Sequence, residues 1–265
     1  IGPNSATNCD EHFDTVLYTA SGSAGDAAGA ATAQDIGGLN FKPDWVYIKG
    51  RSYTDYSMHF DSSRGTGKPL QGRTNAEADY ANTLDEFRSD GFGLGADSTA
   101  QVNWRENTYV AWCWKANGGT TTTNDASATS VGTIDSSYQA NTTAGFSVVL
   151  YTGTGANGSI AHGLGVTPKM LIIKSRDTSQ NYAVYHENVG NAHLLYLDTN
   201  DGQDSSTGSW NSTSPTSSVF TVGDGTYSNK SSDDFVAYAF SEVEGYSKFG
   251  KYVANNNANG PYIYC

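Results

Sequence analysis

Short apolar runs recur along the chain with a period of two, separated by polar joints. In "FDTVLYT" (13–19), Phe13, Thr15, Leu17 and Thr19 point one way and Asp14, Val16 and Tyr18 the other, the pattern of a strand. "WVYIK" (45–49) and "MLIIK" (170–174) are unbroken apolar runs and predict central strands buried on both faces. Pro43 and Pro168 stand just before them, at strand entry, where a missing N–H is tolerated. "HLLYLDTN" (193–200) and "FVAYAF" (235–240) predict further strands, and "NDG" (200–202) and "GDG" (223–225) are turn signals between them. One short helix is predicted, around "NAEADYANTLDEF" (75–87).

The pattern repeats. With Gly38 placed on Gly163, residues 38–75 align without a gap on 163–200, at an offset of 125. Ten of the 38 positions are identical: Gly38, Leu39, Pro43, Ile48, Lys49, Arg51, Gly65, Leu70, Thr74 and Asn75 with their counterparts. "HFDTVLYT" (12–19) matches "GFSVVLYT" (145–152), "GFGLG" (91–95) resembles "VFTVG" (219–223), and "TYVAWCW" (108–114) matches "DFVAYAF" (234–240), all in the same order. The expected organisation is an N-terminal extension (1–11), a first repeat (12–118), a linker (119–143), a second repeat (144–245) and a tail (246–265). The linker is Thr/Ser-rich with few apolar residues, and reads as extended chain or as a docked edge strand. The tail "FGKYVANNNANG" echoes "VVLYTGTGANG", so 246–265 reads either as the start of a third repeat or as a closing strand.

Composition narrows the fold class. Gly (30) and Tyr (17) are plentiful and charged residues only 16%, an alphabet unsuited to long helices. The expected fold is all-β: two tandem antiparallel β-sandwich repeats, jelly-roll-like, joined by the linker. A net charge of -12 argues against binding nucleic acid or inserting into an anionic membrane. The chain lacks an initiator Met and a signal peptide, and "IGPNSATNCD" reads as part of something longer. Cys9, Cys113 and Cys265 include no C-x-x-C pair. Cys113, within "YVAWCWK", reads as a buried free thiol, and Cys9 and Cys265 would pair only if the chain ends meet.

Chemistry is sparse by comparison. "GFGLG" lacks the spacing of a nucleotide loop and matches a strand in the second repeat. His12, His59, His162, His186 and His193 show no metal-ligand spacing, and His186 beside Glu187 has Asp61 as its counterpart. Asp198, Asn200, Asp201 and Asp204, in "DTNDGQD", are oxygen donors near one turn, which suits Ca²⁺ or a solvated turn. No other cofactor is expected. Asp85, Glu86, Glu106, Glu187, Glu242 and Glu244 qualify as glycosidase carboxylates by type alone. Trp104 in "VNWREN" and Trp210 in "GSWNST" sit in polar surroundings, where an indole either stacks on a sugar or folds back over its sandwich. Lys49 and Arg51, like Lys174 and Arg176, alternate onto one face. In an acidic chain such pairs meet carboxylates at a strand end or on a neighbouring repeat, or else bind a ligand.

"FSVVLYTGTGANGSIAHGLGVTPKMLIIKSR", "YAVYHENVG", "WNSTSPTSSVFTVG" and "FVAYAFSEVEGYSKFGKY", in that order, resemble a repeat of large structural proteins of tailed phages, particularly marine ones. "HFDTVLYT…FKPDWVYIKGR…VAWCWKANGG" resembles the form that opens such arrays. The resemblance covers nearly all of 12–265. It implies a virion exterior, a tail fibre or appendage, and a non-enzymatic role as spacer or host-receptor-binding module. It also implies other virion proteins and further copies of the chain as partners, and carries over no catalytic residue. The alternatives are a carbohydrate-binding module of an extracellular adhesin or enzyme, for which Trp104 and Trp210 would bind a host-surface glycan, and a glycan-degrading enzyme.

Overall fold

The computed structural model describes residues 8–21, 31–72, 76–97, 102–104 and 106–262. Thr74, Asn75 and Cys265 lie outside the described residues, and with Cys265 any pairing to Cys9. The first half contributes β1 (Phe13–Thr19), β2 (Gln34–Ile36), β3 (Trp45–Gly50), β4 (Met58–Asp61), β5 (Leu70–Gln71), β6 (Leu84–Arg88), β7 (Gly91–Leu94) and β8 (Thr108–Trp114). There follow β9 (Thr122–Asn124), the single turn α1 (Ala126–Thr129), β10 (Ser136–Asn141), β11 (Phe146–Thr152), β12 (Gly158–Ala161), β13 (Met170–Ser175) and β14 (Ala183–His186). β15 (His193–Tyr196), β16 (Asp204–Ser205), α2 (Thr207–Trp210), β17 (Val219–Val222), α3 (Thr226–Asn229) and β18 (Asp234–Phe240) complete the chain. The fold is all-β, and every ladder between these strands is antiparallel.

Two large sheets share one strand order. One is β1-β8-β3-β4-β5; the other contains β11-β18-β13-β14-β15, flanked by β10-β9 on one side and β16 on the other. Residues 125 apart make the same bonds. Trp45 pairs with Asp61 and Ile48 with Met58, as Met170 pairs with His186 and Ile173 with Ala183. The Ser62 N–H donates to Asp44 O at 2.8 Å and the Glu187 N–H to Lys169 O at 2.9 Å. Gly65 and Gly190 hold φ of 93° and 91°, a left-handed conformation that disfavours side chains, and each N–H closes the turn after its strand.

The alternation within β3 and β13 sorts the cores. Val46 and Ile48 point into a first core with Ile36, Leu84, Phe92 and Leu94 of the small sheet β2-β7-β6. Leu171 and Ile173 point into a second core with Ile160, Phe220 and Val222 of the β12-β17 pair. The opposite faces, Trp45 and Tyr47 on one side and Met170 and Ile172 on the other, meet in a third core. The molecule is therefore four layers, with the two large sheets face to face in the middle. The Trp45 ring stacks on Tyr238 (centroids 4.3 Å, 16° between planes) and lies 5.9 Å from Phe146. Each such aromatic pair contributes about 0.5–1.5 kcal/mol beyond burial of its area. This middle core is why neither "WVYIK" nor "MLIIK" shows a polar face.

Two segments differ from expectation, and a third takes one of its two expected forms. The helix expected at 75–87 is absent from the described part of that range: Leu84–Arg88 is strand β6, held by pairing with β7 and by Phe87 packing on the first core. The Thr/Ser-rich segment docks as edge structure, with β10 pairing to β11 over six residues and β9 pairing to β10. Backbone pairing needs no apolar side chains, so a polar segment serves. After β18, the described residues to Tyr262 form neither a third first strand nor a closing strand, only a bridge between Val243 and Ser247.

Candidate functional site

The two Lys-x-Arg pairs close β3 and β13. Each lysine ties down the loop that follows: Lys49 Nζ donates to Asp55 O, and Lys174 Nζ to Gln180 O, six residues on in both. Lys174 is fully buried, with its ammonium 5.4 Å from the centre of the Tyr182 ring. Burial pulls its pKa down to about 8, against the opposing charge of Asp198. The arginines part ways: Arg51 is exposed, whereas Arg176 reaches across to the first half.

There it meets a buried ionic seam. Arg176 holds Glu77 in a fork, Nη2 to Oε1 at 2.9 Å and Nε to Oε2 at 3.1 Å, and the Glu77 N–H donates to Arg176 O at 2.7 Å. Glu77 Oε2 also accepts from Arg64 Nη1 at 2.7 Å. The Arg64 side chain is wholly buried; it donates to Asp61 Oδ2 at 2.5 Å, Lys68 O at 2.7 Å and His59 O at 3.1 Å. Asp61 accepts in turn from the Tyr238 hydroxyl of the second half at 2.8 Å. Two carboxylates and two guanidinium groups thus balance. Burial opposes the Arg64 charge, but Asp61 and Glu77 outweigh it and its pKa rises. Burial likewise opposes the Glu77 charge, but the bonds from Arg176 and the charge of Arg64 pull its pKa below the ordinary value. All four groups are committed to one another, an arrangement that fastens rather than reacts.

A second polar joint lies nearby. Buried Asp44 accepts from the Ala116 and Gly118 N–H groups, both at 2.7 Å, and from the Ser62 hydroxyl at 2.6 Å. Gln139, on β10, accepts from the Gly119 N–H at 2.8 Å and donates to the hydroxyls of Ser62 and Ser63. The segment between the halves is pinned to both.

The remaining sequence candidates are dispersed. Trp210 is 1% exposed, donates to His193 O at 2.8 Å and meets Tyr185 edge-on, so it offers no face to a sugar. A polar neighbourhood in sequence does not fix where an indole points; here α2 turns it inward. Trp104 is half-buried and edge-on to Tyr53 at 5.3 Å. Of the acidic turn, Asp198 faces inward to the Tyr182 N–H at 3.1 Å while Asp204 accepts from the Tyr196 hydroxyl at 3.0 Å, and Asn200 and Asp201 are exposed. Among the described residues no three His, Cys, Asp or Glu side chains gather as a metal site. Cys113 is a buried free thiol, its pKa pushed up by burial, and Cys9 is exposed. His59 is fully buried, and burial first, then Arg64 and Lys174, lower its pKa to about 3. Burial lowers that of His162 to about 4. Two shallow depressions, of about 330 and 300 Å³, flank β10; Arg176 and Asp234 line the first.

Asp61, Arg64 and Glu77 carry no sequence motif. The one signal for Arg64 is that it departs from the repeat, since its counterpart is Val189.

No curated protein and no solved structure matches the chain. A single family model spans both halves, the segment between them and the tail. The chain belongs to that family, a domain of unknown function (DUF7483), matched over residues 8–265.

Proposed function

We propose that the chain is a non-enzymatic structural protein of a tailed-phage virion, part of a tail fibre or related appendage. In this reading two copies of one β-sandwich form a single stiff body, used as a spacer and to present a host-facing surface. Its partners are other virion proteins and further copies of itself. The ordered motifs that resemble phage structural repeats support the assignment of place. The observation that carries the mechanical role is the middle of the molecule: the Trp45–Tyr238 stack and the Asp61–Arg64–Glu77–Arg176 seam join the halves through buried contacts. Domains joined by a linker alone move freely, whereas a large apolar interface with buried ion pairs holds one geometry. The groups with strongly displaced pKa values also fit this role, because Lys174, His59 and His162 are packed inside the layers.

The test is immunogold electron microscopy, with antibodies raised against the purified chain, on particles of the phage that encodes it. Gold on the tail or its fibres is the expected result. Particles that stay unlabelled while the lysate reacts would overturn the assignment.

A further inference from the structure

In the second half the outer edge of β11 is covered by β10, from Ser136 opposite Tyr151 to Asn141 opposite Phe146. β1 holds the matching place in the first half. Both strands pair on their inner edge over seven residues, with β8 and β18 respectively. Tyr18 and Tyr151 donate their hydroxyls to matching carbonyls, Val102 O at 2.8 Å and Ser228 O at 2.6 Å. Yet among the described residues no strand pairs with the outer edge of β1, and the residues before it form a 3-10 turn at Cys9–Glu11. The difference shows at matched leucines: Leu150 is half-buried, whereas Leu17 is 64% exposed. Asp14 does part of the covering by accepting from the Thr15 N–H at 2.7 Å. An unpaired edge of this length is a template for an added strand.

The same molecule carries an exposed segment that pairs with no strand among the described residues. Gly250–Gly260 is exposed throughout, with Tyr252 at 66% and Val253 at 80%. Among the described residues its hydrogen bonds stay within the segment, such as Gly260 N–H to Asn257 O and Asn255 Nδ2 to Gly260 O. The stretch from Gly250 to Asn255 has the six-residue length of β10. Charge is complementary: after Glu244 the only charged residues are Lys248 and Lys251, while Asp10, Glu11 and Asp14 surround the start of β1.

We infer that the outer edge of β1 takes the Gly250–Asn255 segment of a second copy by strand addition, as β10 covers β11 within one chain. Main-chain hydrogen bonds supply the contact, Leu17 and Val253 bury against the junction, and the lysines meet the acidic start of β1. Edge and arm are different surfaces, so the contact is head-to-tail and propagates into an open chain of subunits. The inference rests on the fold and not on the virion reading.

Complementation by sedimentation velocity, in reducing buffer, tests it. The full wild-type chain should sediment at masses beyond twice the 28.1 kDa of one chain as concentration rises. A Leu17→Lys variant keeps the arm but blocks the edge; a Tyr252→Pro/Val253→Pro variant keeps the edge but blocks the arm. Each alone should remain a monomer, and a one-to-one mixture should form dimers and nothing longer. All three positions are exposed, and near-UV circular dichroism matching the wild type verifies folding. A synthetic peptide of residues 249–257 should dissociate the wild-type assemblies. A wild type that stays monomeric, variants that assemble like the wild type, or a mixture that fails to dimerise would each overturn the inference.

Discussion

Replacing Arg64 with Met removes the centre of the seam while keeping most of its volume. The lost guanidinium is fully buried and bonds Asp61, Glu77 and the carbonyls of Lys68 and His59. Glu77 keeps Arg176, but among the described residues Asp61 is left with the Tyr238 hydroxyl and a backbone N–H against a buried negative charge. Breaking a buried pair from one side costs about 3–5 kcal/mol. In a chain of this size that lowers Tm by roughly 2–4 °C per kcal/mol, or about 6–20 °C in all. The cost comes from the stranded charge, so adding Asp61→Asn to Arg64→Met should recover about 1–3 kcal/mol, a coupling that a double-mutant cycle isolates. Arg51→Met, at the exposed counterpart of Arg176, should stay within about 0.5 kcal/mol of wild type. Urea unfolding followed by circular dichroism and fluorescence gives all these values. The seam has no stabilising role if Arg64→Met costs less than about 1 kcal/mol, and the stranded-charge argument fails if the double variant is merely additive.

Three further outcomes follow from the buried groups and the backbone. His59 is neutral when folded, so stability should fall as pH drops from its ordinary 6.5 toward about 3, where the unfolded chain binds the extra proton. Its ring nitrogens have no protein partner among the described residues and its counterpart is Val184, so His59→Phe should flatten that acid loss and match or exceed wild-type stability by up to about 1 kcal/mol at pH 7; acid titrations of Tm that superimpose on wild type would refute this. Lys174 works in the opposite pH range: its folded pKa of about 8 lies below the ordinary 10.5, so its burial cost is fully present below pH 8 and is relieved between pH 8 and 10.5. Lys174→Met should remove that alkaline gain, read as the difference between the two stability–pH curves. Gly163 and its counterpart Gly38 both have positive φ, but a Cβ on Gly163 would lie 2.2 Å from the Tyr138 ring while one on Gly38 meets open space. Gly163→Ala should therefore cost more than Gly38→Ala, whose conformational strain alone is about 1 kcal/mol; equal melting temperatures would contradict the close approach.

The strands were legible where side-chain patterning decides them. "WVYIK" and "MLIIK" lack a polar face because they are covered on both sides, and that follows from composition alone. What covers them is a different matter: the second cover for each is the opposite half, a contact between residues more than a hundred positions apart, as Asp61 with Tyr238. Arg176 was legible as a basic residue in search of a carboxylate, but not its partner, since Glu77 lies in a segment whose Ala, Glu and Asp content imitates a helix. The repeat itself hid the seam. Aligning the copies draws the eye to Lys49 and Lys174, which tie down loops, and passes over Arg64 and Asp61, which face Val189 and His186 in the alignment. Trp210 shows the same limit at short range, because the polar residues around it say nothing about the inward turn of α2.

The central claim is that the two halves form one body rather than two beads on a linker. Differential scanning calorimetry of the intact chain tests it most directly, with hydrogen exchange read separately on β3 and β13. The account predicts a single transition whose calorimetric and van't Hoff enthalpies agree, and global protection lost in both strands together. Two resolved transitions, with β13 still protected after β3 has opened, would contradict it.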